Sequence, residues 1–277
     1  MGFFPERIYE GMNWRRKHGE PKNRRQLFQC VLTDQFFSLI PVNLLYLVFW
    51  LPAIAWTILC VLQMMVSMQA EDGVSFLRTA NTWTVGLIPC LTLLGPARAG
   101  MALLMRNWAR EEYTPVWATF FRGLRENWKQ TIPFSLPASV IPLAVWSAYQ
   151  MAAAGDYSQG TGPLLFAVCA AAVLYLLAMQ VFYVLLVTYD LRPRHHFRNA
   201  VLLMFMKLPT FLLIFLGSLF FVILGIVFSL LNPSAGYKNL LIPIVYYSTI
   251  GLAATELIYA SFANKLCDDY FNKEKAE

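Results

Sequence analysis

Charge is scarce in this chain, and the residues of catalysis are scarcer. Asp, Glu, Lys and Arg make up 14% of 277 residues while 58% are hydrophobic. Soluble domains carry about a quarter charged residues, so a water-soluble globular domain is excluded. The five cysteines (Cys30, Cys60, Cys90, Cys169, Cys267) stand singly. None forms a Cys-x-x-Cys pair, which excludes a disulfide framework and the common zinc spacings. His-Glu-x-x-His, Gly-x-Ser-x-Gly and Walker patterns are missing, so no enzyme activity, metal or cofactor is expected. Without a nucleotide site the chain cannot itself drive ATP-powered transport. Glu111-Glu112 has no histidine at ligand spacing, Tyr189-Asp190 lacks a second intramembrane aspartate, and His195-His196 reads as a solvated pair in a basic loop. The first 27 residues are polar and basic, which is no signal peptide, and neither end carries a lipidation box.

What is present is long apolar runs, at about 42–66, 83–105, 132–154, 163–189, 208–231 and 240–263. Each supplies the roughly 20 apolar residues needed to cross a hydrocarbon core about 30 Å thick. Strands of a membrane barrel are about 10 residues long and alternating, so helices are predicted. The expected fold is an all-α, polytopic membrane bundle of six transmembrane helices. A lead-in at 1–41 precedes it and a short tail at 264–277 follows.

The cations set its orientation. The lead-in and the gaps after the second, fourth and sixth runs hold 19 of the 22 Lys and Arg. Cationic loops stay on the cytoplasmic side, so both termini are expected inside. The net charge of +6 is spread over four inner segments, which orientation alone requires; no nucleic-acid partner is expected. The bilayer is the expected partner, with Arg15, Arg16, Lys17, Lys22, Arg24 and Arg25 near its anionic lipids.

Two inner segments carry helical patterns. Leu27–Ile40 mixes apolar and polar residues and predicts either an interfacial helix before Pro41 or a cytoplasmic extension of the first spanning helix, with Pro41 favouring a break. From Val116, apolar residues recur at Trp117, Phe120, Phe121, Leu124 and Trp128, after Thr114-Pro115 as N-cap and first-turn proline. That predicts a cytoplasmic amphipathic helix near 115–130 lying along the membrane. Trp117, Phe121, Arg122, Arg125 and Trp128 form its candidate partner or interface face. Phe121-Arg122 to Pro133 and Phe197-Arg198 to Pro209 share one spacing, a hint of a repeated hairpin plus inner helix.

Polar groups inside the apolar runs are few, and burying them costs several kcal/mol unless they are paired. Arg98 and Glu256 both lie roughly 12–14 Å above the inner ends of their runs at 1.5 Å per residue. With Gln180 and Ser218 they make a predicted polar layer: a gate or ligand path, or an ion pair that fixes packing. Gly95, Pro96 and Gly100 beside Arg98 predict close helix packing or a broken helix.

Leu94–Gly100, then Arg106-Asn107-Trp108-Ala109-Arg110-Glu111-Glu112, then Glu126-Asn127-Trp128-Lys129-Gln130 resemble the YesL-like membrane protein family, domain of unknown function 624. Asn43-Leu44-Leu45, Leu51-Pro52 and Arg198-Asn199-Ala200 to Leu208-Pro209 resemble it too. Arg98 departs from the small or hydroxyl residue expected there. The resemblance implies a multi-pass bacterial plasma-membrane protein that is a non-enzymatic accessory or permease-like component associated with carbohydrate uptake. Subunits of ATP-binding-cassette carbohydrate transporters are the implied partners. A stand-alone secondary transporter or channel, and a membrane scaffold or regulator, stay open as alternatives. Substrate and oligomeric state are not legible.

Overall fold

The computed structural model describes residues 24–110, 112, 114–154, 161–232, 236–239 and 241–271, and among them it contains helices but no strand. The lead-in cations Arg15, Arg16, Lys17 and Lys22 lie outside the described residues. So do Glu111 and the connection at 155–160. The helices are α1 Arg24–Asp34, α2 Phe36–Gln69, α3 Gly73–Thr92, α4 Leu94–Ala109, α5 Val116–Ala154 and α6 Thr161–Leu186. They continue as α7 Pro193–Met206, α8 Leu208–Ser218, α9 Phe220–Leu231, α10 Gly236–Asn239, α11 Leu241–Tyr246 and α12 Leu252–Phe271, with a π-helical turn at Tyr247–Gly251.

Among the described residues, four helices are long and apolar enough to cross a membrane: Phe36–Gln69, Val116–Ala154, Gly162–Leu186 and Leu241–Cys267. Two helix pairs pass the same test only when joined across a bend. One is α3 with α4, bent by 42°, and the other is α7 with α8, bent by 91°. The fourth run ends at Leu186 rather than 189. The fifth run is divided at Leu219, although Ile223 N–H still bonds Leu219 O and carries the ladder across the break.

Three sequence expectations need correction. First, the lead-in helix breaks at Gln35, not at Pro41, and α2 runs on through Pro41 and Pro52. A proline removes one hydrogen bond, and an apolar helix in lipid has no better conformation to fall back on. Val31 is buried, and Phe28 and Leu32 pack on the core around α4, so α1 docks on the bundle. Second, the stretch near 115–130 is no separate helix. It is the start of the 39-residue α5, which passes through Pro133, Pro137 and Pro142. Third, the outer connection expected at 67–82 is mostly helical. Only Ala70–Asp72 separate α2 from α3, with Glu71 at φ 54°. Asp72 caps α3 through Ser75 N–H (3.0 Å) and Ser75 Oγ (2.6 Å), and these bonds hold its carboxyl below the usual range.

At the centre sits α4. Thirteen of its residues are buried, and they serve two core clusters. Ala99 and Ala102 face α6, α7, α8 and α12, whereas Ala97, Met101, Leu104, Met105 and Trp108 face α1, α2, α5 and α12. A short helix rich in Gly and Ala can be surrounded on all sides because its neighbours approach its backbone closely.

Candidate functional site

The bend above α4 has a local cause. Pro96 falls in the first turn of α4, where a missing N–H leaves the helix's own ladder intact. It leaves the Thr92 carbonyl without its usual donor four residues on. The Ser135 hydroxyl, from α5, supplies one at 3.1 Å. Gly95 makes room for it: a Cβ there would lie 2.5 Å from Ser135 Oγ. Thr92 Oγ1 and Ser139 Oγ, 2.9 Å apart, continue the seam. Gly95 and Pro96 are therefore parts of one join between a broken span and α5.

One turn further, α4 and α5 touch backbone to backbone. A Cβ on Gly100 would lie 2.5 Å from the Phe120 carbonyl oxygen, and one on Gly123 would lie 2.9 Å from Gly100 Cα. Between these contacts stands Arg98. Its Nη2 lies 3.5 Å from Glu256 Oε2 on α12, and its Cζ lies 5.3 Å from the Tyr183 ring centre on α6. Tyr46 and Tyr259, both buried, lie within electrostatic reach of the guanidinium. The Glu256 side chain is 4% exposed and that of Arg98 24%. A single 3.5 Å contact is a charge pairing at the limit of hydrogen-bond length, not a bidentate clamp. Among the described residues, Glu256 Oε1 has no hydrogen-bond partner.

Neither of the other two members of the predicted layer makes the ion pair or the ring contact that Arg98 makes. Ser218 Oγ donates to Phe215 O of its own helix at 2.6 Å, and the Ser218 carbonyl accepts from the Tyr247 hydroxyl. Gln180 is half-buried, and its Oε1 is buried without a hydrogen-bond partner among the described residues.

A second polar join escaped the layer prediction. Asn43 on α2 is fully buried against the π-helical turn that precedes α12. Its Nδ2 donates to Tyr247 O and Ser248 O, each at 2.9 Å, and its Oδ1 accepts from Ala253 N–H at 3.0 Å. A π turn displaces carbonyls from the α ladder, and Asn43 takes up two of them. The signal was in the sequence: an amide inside an otherwise apolar run.

At the basic end of the bundle, Arg106 Nη1 donates to Val187 O at 2.7 Å, satisfying a carbonyl just past the end of α6, and Nη2 lies 3.3 Å from Glu112 Oε2. A cleft of about 290 Å³ opens there, lined by Glu126, Asn127, Gln130, Thr188 and Asp190 among others. Neither Arg98 nor Glu256 lines it.

The first part of α5 divides into sectors. Thr119, Phe120 and Gly123 are buried against α4. Trp117, Phe121 and Trp128 are 61%, 47% and 45% exposed and fall within about 40° of one another at 100° per residue. Arg122, Arg125 and Lys129 are exposed on the adjoining sector, and Lys129 Nζ lies 5.5 Å from the Trp128 ring centre.

Residues 39–147 match the model of a family described as a protein of unknown function, DUF624. This is the family that the residues from Leu94 to Gln130 resemble. The DUF624 segment holds Asn43, the Gly95-Pro96 join, Arg98, Gly100 and the whole exposed face of α5. Glu256, Gln180, Ser218 and the π turn lie beyond it. No curated protein and no solved structure matches the chain.

Proposed function

We propose that this protein is a non-enzymatic accessory or permease-like component of a carbohydrate-uptake system in a bacterial plasma membrane, with its basic end and both termini cytoplasmic. The observation that carries the reading is the exposed face of α5. A helix of 39 residues is about 58 Å long, nearly twice the hydrocarbon thickness. Its apolar part begins near Ile132, after the last charge, Lys129. The preceding residues from Val116 add about 25 Å to the helix beyond its apolar part, packed on α4 through Phe120 and Gly123, with Trp117 and Phe121 on the exposed side. Exposed aromatics beside arginines are the composition of protein interfaces, where both are enriched. A partner with an apolar groove and an acidic rim fits this face. The link to carbohydrate uptake rests on the family resemblance.

The Arg98–Glu256 contact supports an accessory role over a stand-alone transporter, because the two charges face each other and neither lines the cleft. Affinity purification in mild detergent is expected to retrieve a transporter subunit, and Arg122→Glu with Arg125→Glu is expected to release it. Recovery of the protein alone, together with undiminished sugar uptake in a deletion strain, would sink the proposal.

A further inference from the structure

The two helices at the basic end are disposed differently, and the difference assigns them different surroundings. The first part of α5 continues its own span, whereas α7 turns by 91° at Lys207 into α8. Because α8 opens the fifth apolar run, 208–231, which is of crossing length, α7 stands at right angles to the start of that run. One side of α7 is fixed to the bundle. His196, expected from the sequence to be solvated in a loop, is instead buried in the helix with Ala200, Leu203 and Met204, and the Phe197 ring packs against Phe134 at 5.3 Å and Tyr175 at 5.7 Å.

The opposite side is exposed and graded along the axis. Leu202, Phe205 and Met206 are 53%, 55% and 53% exposed at the end next to the span. Arg194 and Arg198 are exposed on the same sector, one to three turns nearer the N-terminus. Phe205 lies between Arg194 and Arg198 in helical angle, at about 20° from each. Apolar side chains here have acyl chains as their natural cover, and cations beside them lie at the depth of lipid phosphates.

We propose that α7 is an interfacial helix whose exposed face holds anionic phospholipid, with Leu202, Phe205 and Met206 among the upper acyl segments and Arg194 and Arg198 on the headgroup phosphates. The acyl contact distinguishes this from a site for free phosphate. Nothing in it depends on the proposed partner of α5.

The test uses the full-length protein in nanodiscs of phosphatidylcholine containing a trace of fluorescent phosphatidylglycerol, with energy transfer from a dye on the protein reporting enrichment of that lipid. Each cation near an anionic surface strengthens attachment about fivefold, so Arg194→Gln with Arg198→Gln is expected to lower the preference about 30-fold. Raised salt should weaken the preference of the native protein. The pair Arg194→Lys and Arg198→Lys should keep it. Arg122→Gln with Arg125→Gln on α5 should leave it unchanged, and inorganic phosphate should not compete. Equal enrichment around the native protein and the α7 glutamine variant overturns the proposal, as does an equal loss in the α5 variant.

Discussion

Substituting Gly100 by alanine tests how α4 is held. The new Cβ would lie 2.5 Å from the Phe120 carbonyl oxygen, 3.3 Å from the Phe120 carbonyl carbon and 3.4 Å from Leu124 N. All three obstacles are backbone, so no rotamer change relieves them. The helices must part by about 0.9 Å to restore ordinary contact. Phe120 is fully buried with its ring against Phe49, so the separation loosens a packed layer. Overpacking of this kind costs about 1–3 kcal/mol, and the better helix propensity of alanine returns about 0.5–1 kcal/mol. A net loss of about 1–2 kcal/mol is expected, several-fold to about thirtyfold in the unfolding constant. Gly217→Ala is the control, because nothing lies within 4 Å of a Cβ there. Reversible unfolding in mixed micelles measures both variants. If Gly100→Ala is as stable as Gly217→Ala, the backbone contact between α4 and α5 is wrong.

Two further substitutions follow from the polar joins. Removing one partner of a buried pair leaves an uncompensated charge, so Arg98→Ala or Glu256→Ala should destabilise by about 3–5 kcal/mol, while Arg98→Met with Glu256→Leu should recover most of that loss; a double variant as unstable as the two singles summed refutes the pairing. Asn43→Ala removes three bonds to the turn before α12, and at about 0.6 kcal/mol per interhelical bond in a membrane the loss is about 2 kcal/mol. Faster amide exchange at Ala253 in that variant would show that the turn itself has loosened, and unchanged exchange would count against the clamp.

The helical membrane architecture was legible because composition and run length leave so little choice. So was the meeting of Arg98 with Glu256, because equal depth and opposite sign make each the other's natural partner. One proline misled. Pro41 read as a helix boundary because in water a chain has alternatives to an incomplete ladder; the apolar segment of α2 has none. The 42° bend occurs instead beside Pro96, where Ser135, about forty residues away, takes over the orphaned carbonyl. The π turn depends likewise on Asn43, about two hundred residues distant. Helical periodicity gave the sectors of α5, but not that α5 continues its span while α7 turns away from its own.

That last contrast is the centre of the account, and nitroxide depth measurements test it directly. Single labels at Trp117→Cys on α5 and Leu202→Cys on α7, with the native cysteines replaced, report access to oxygen from the bilayer and to a nickel chelate from water. A water-accessible label at 117 and an oxygen-accessible label at 202 are expected. Labels at the same depth in the interface would contradict it, because α5 would then lie along the membrane as α7 does.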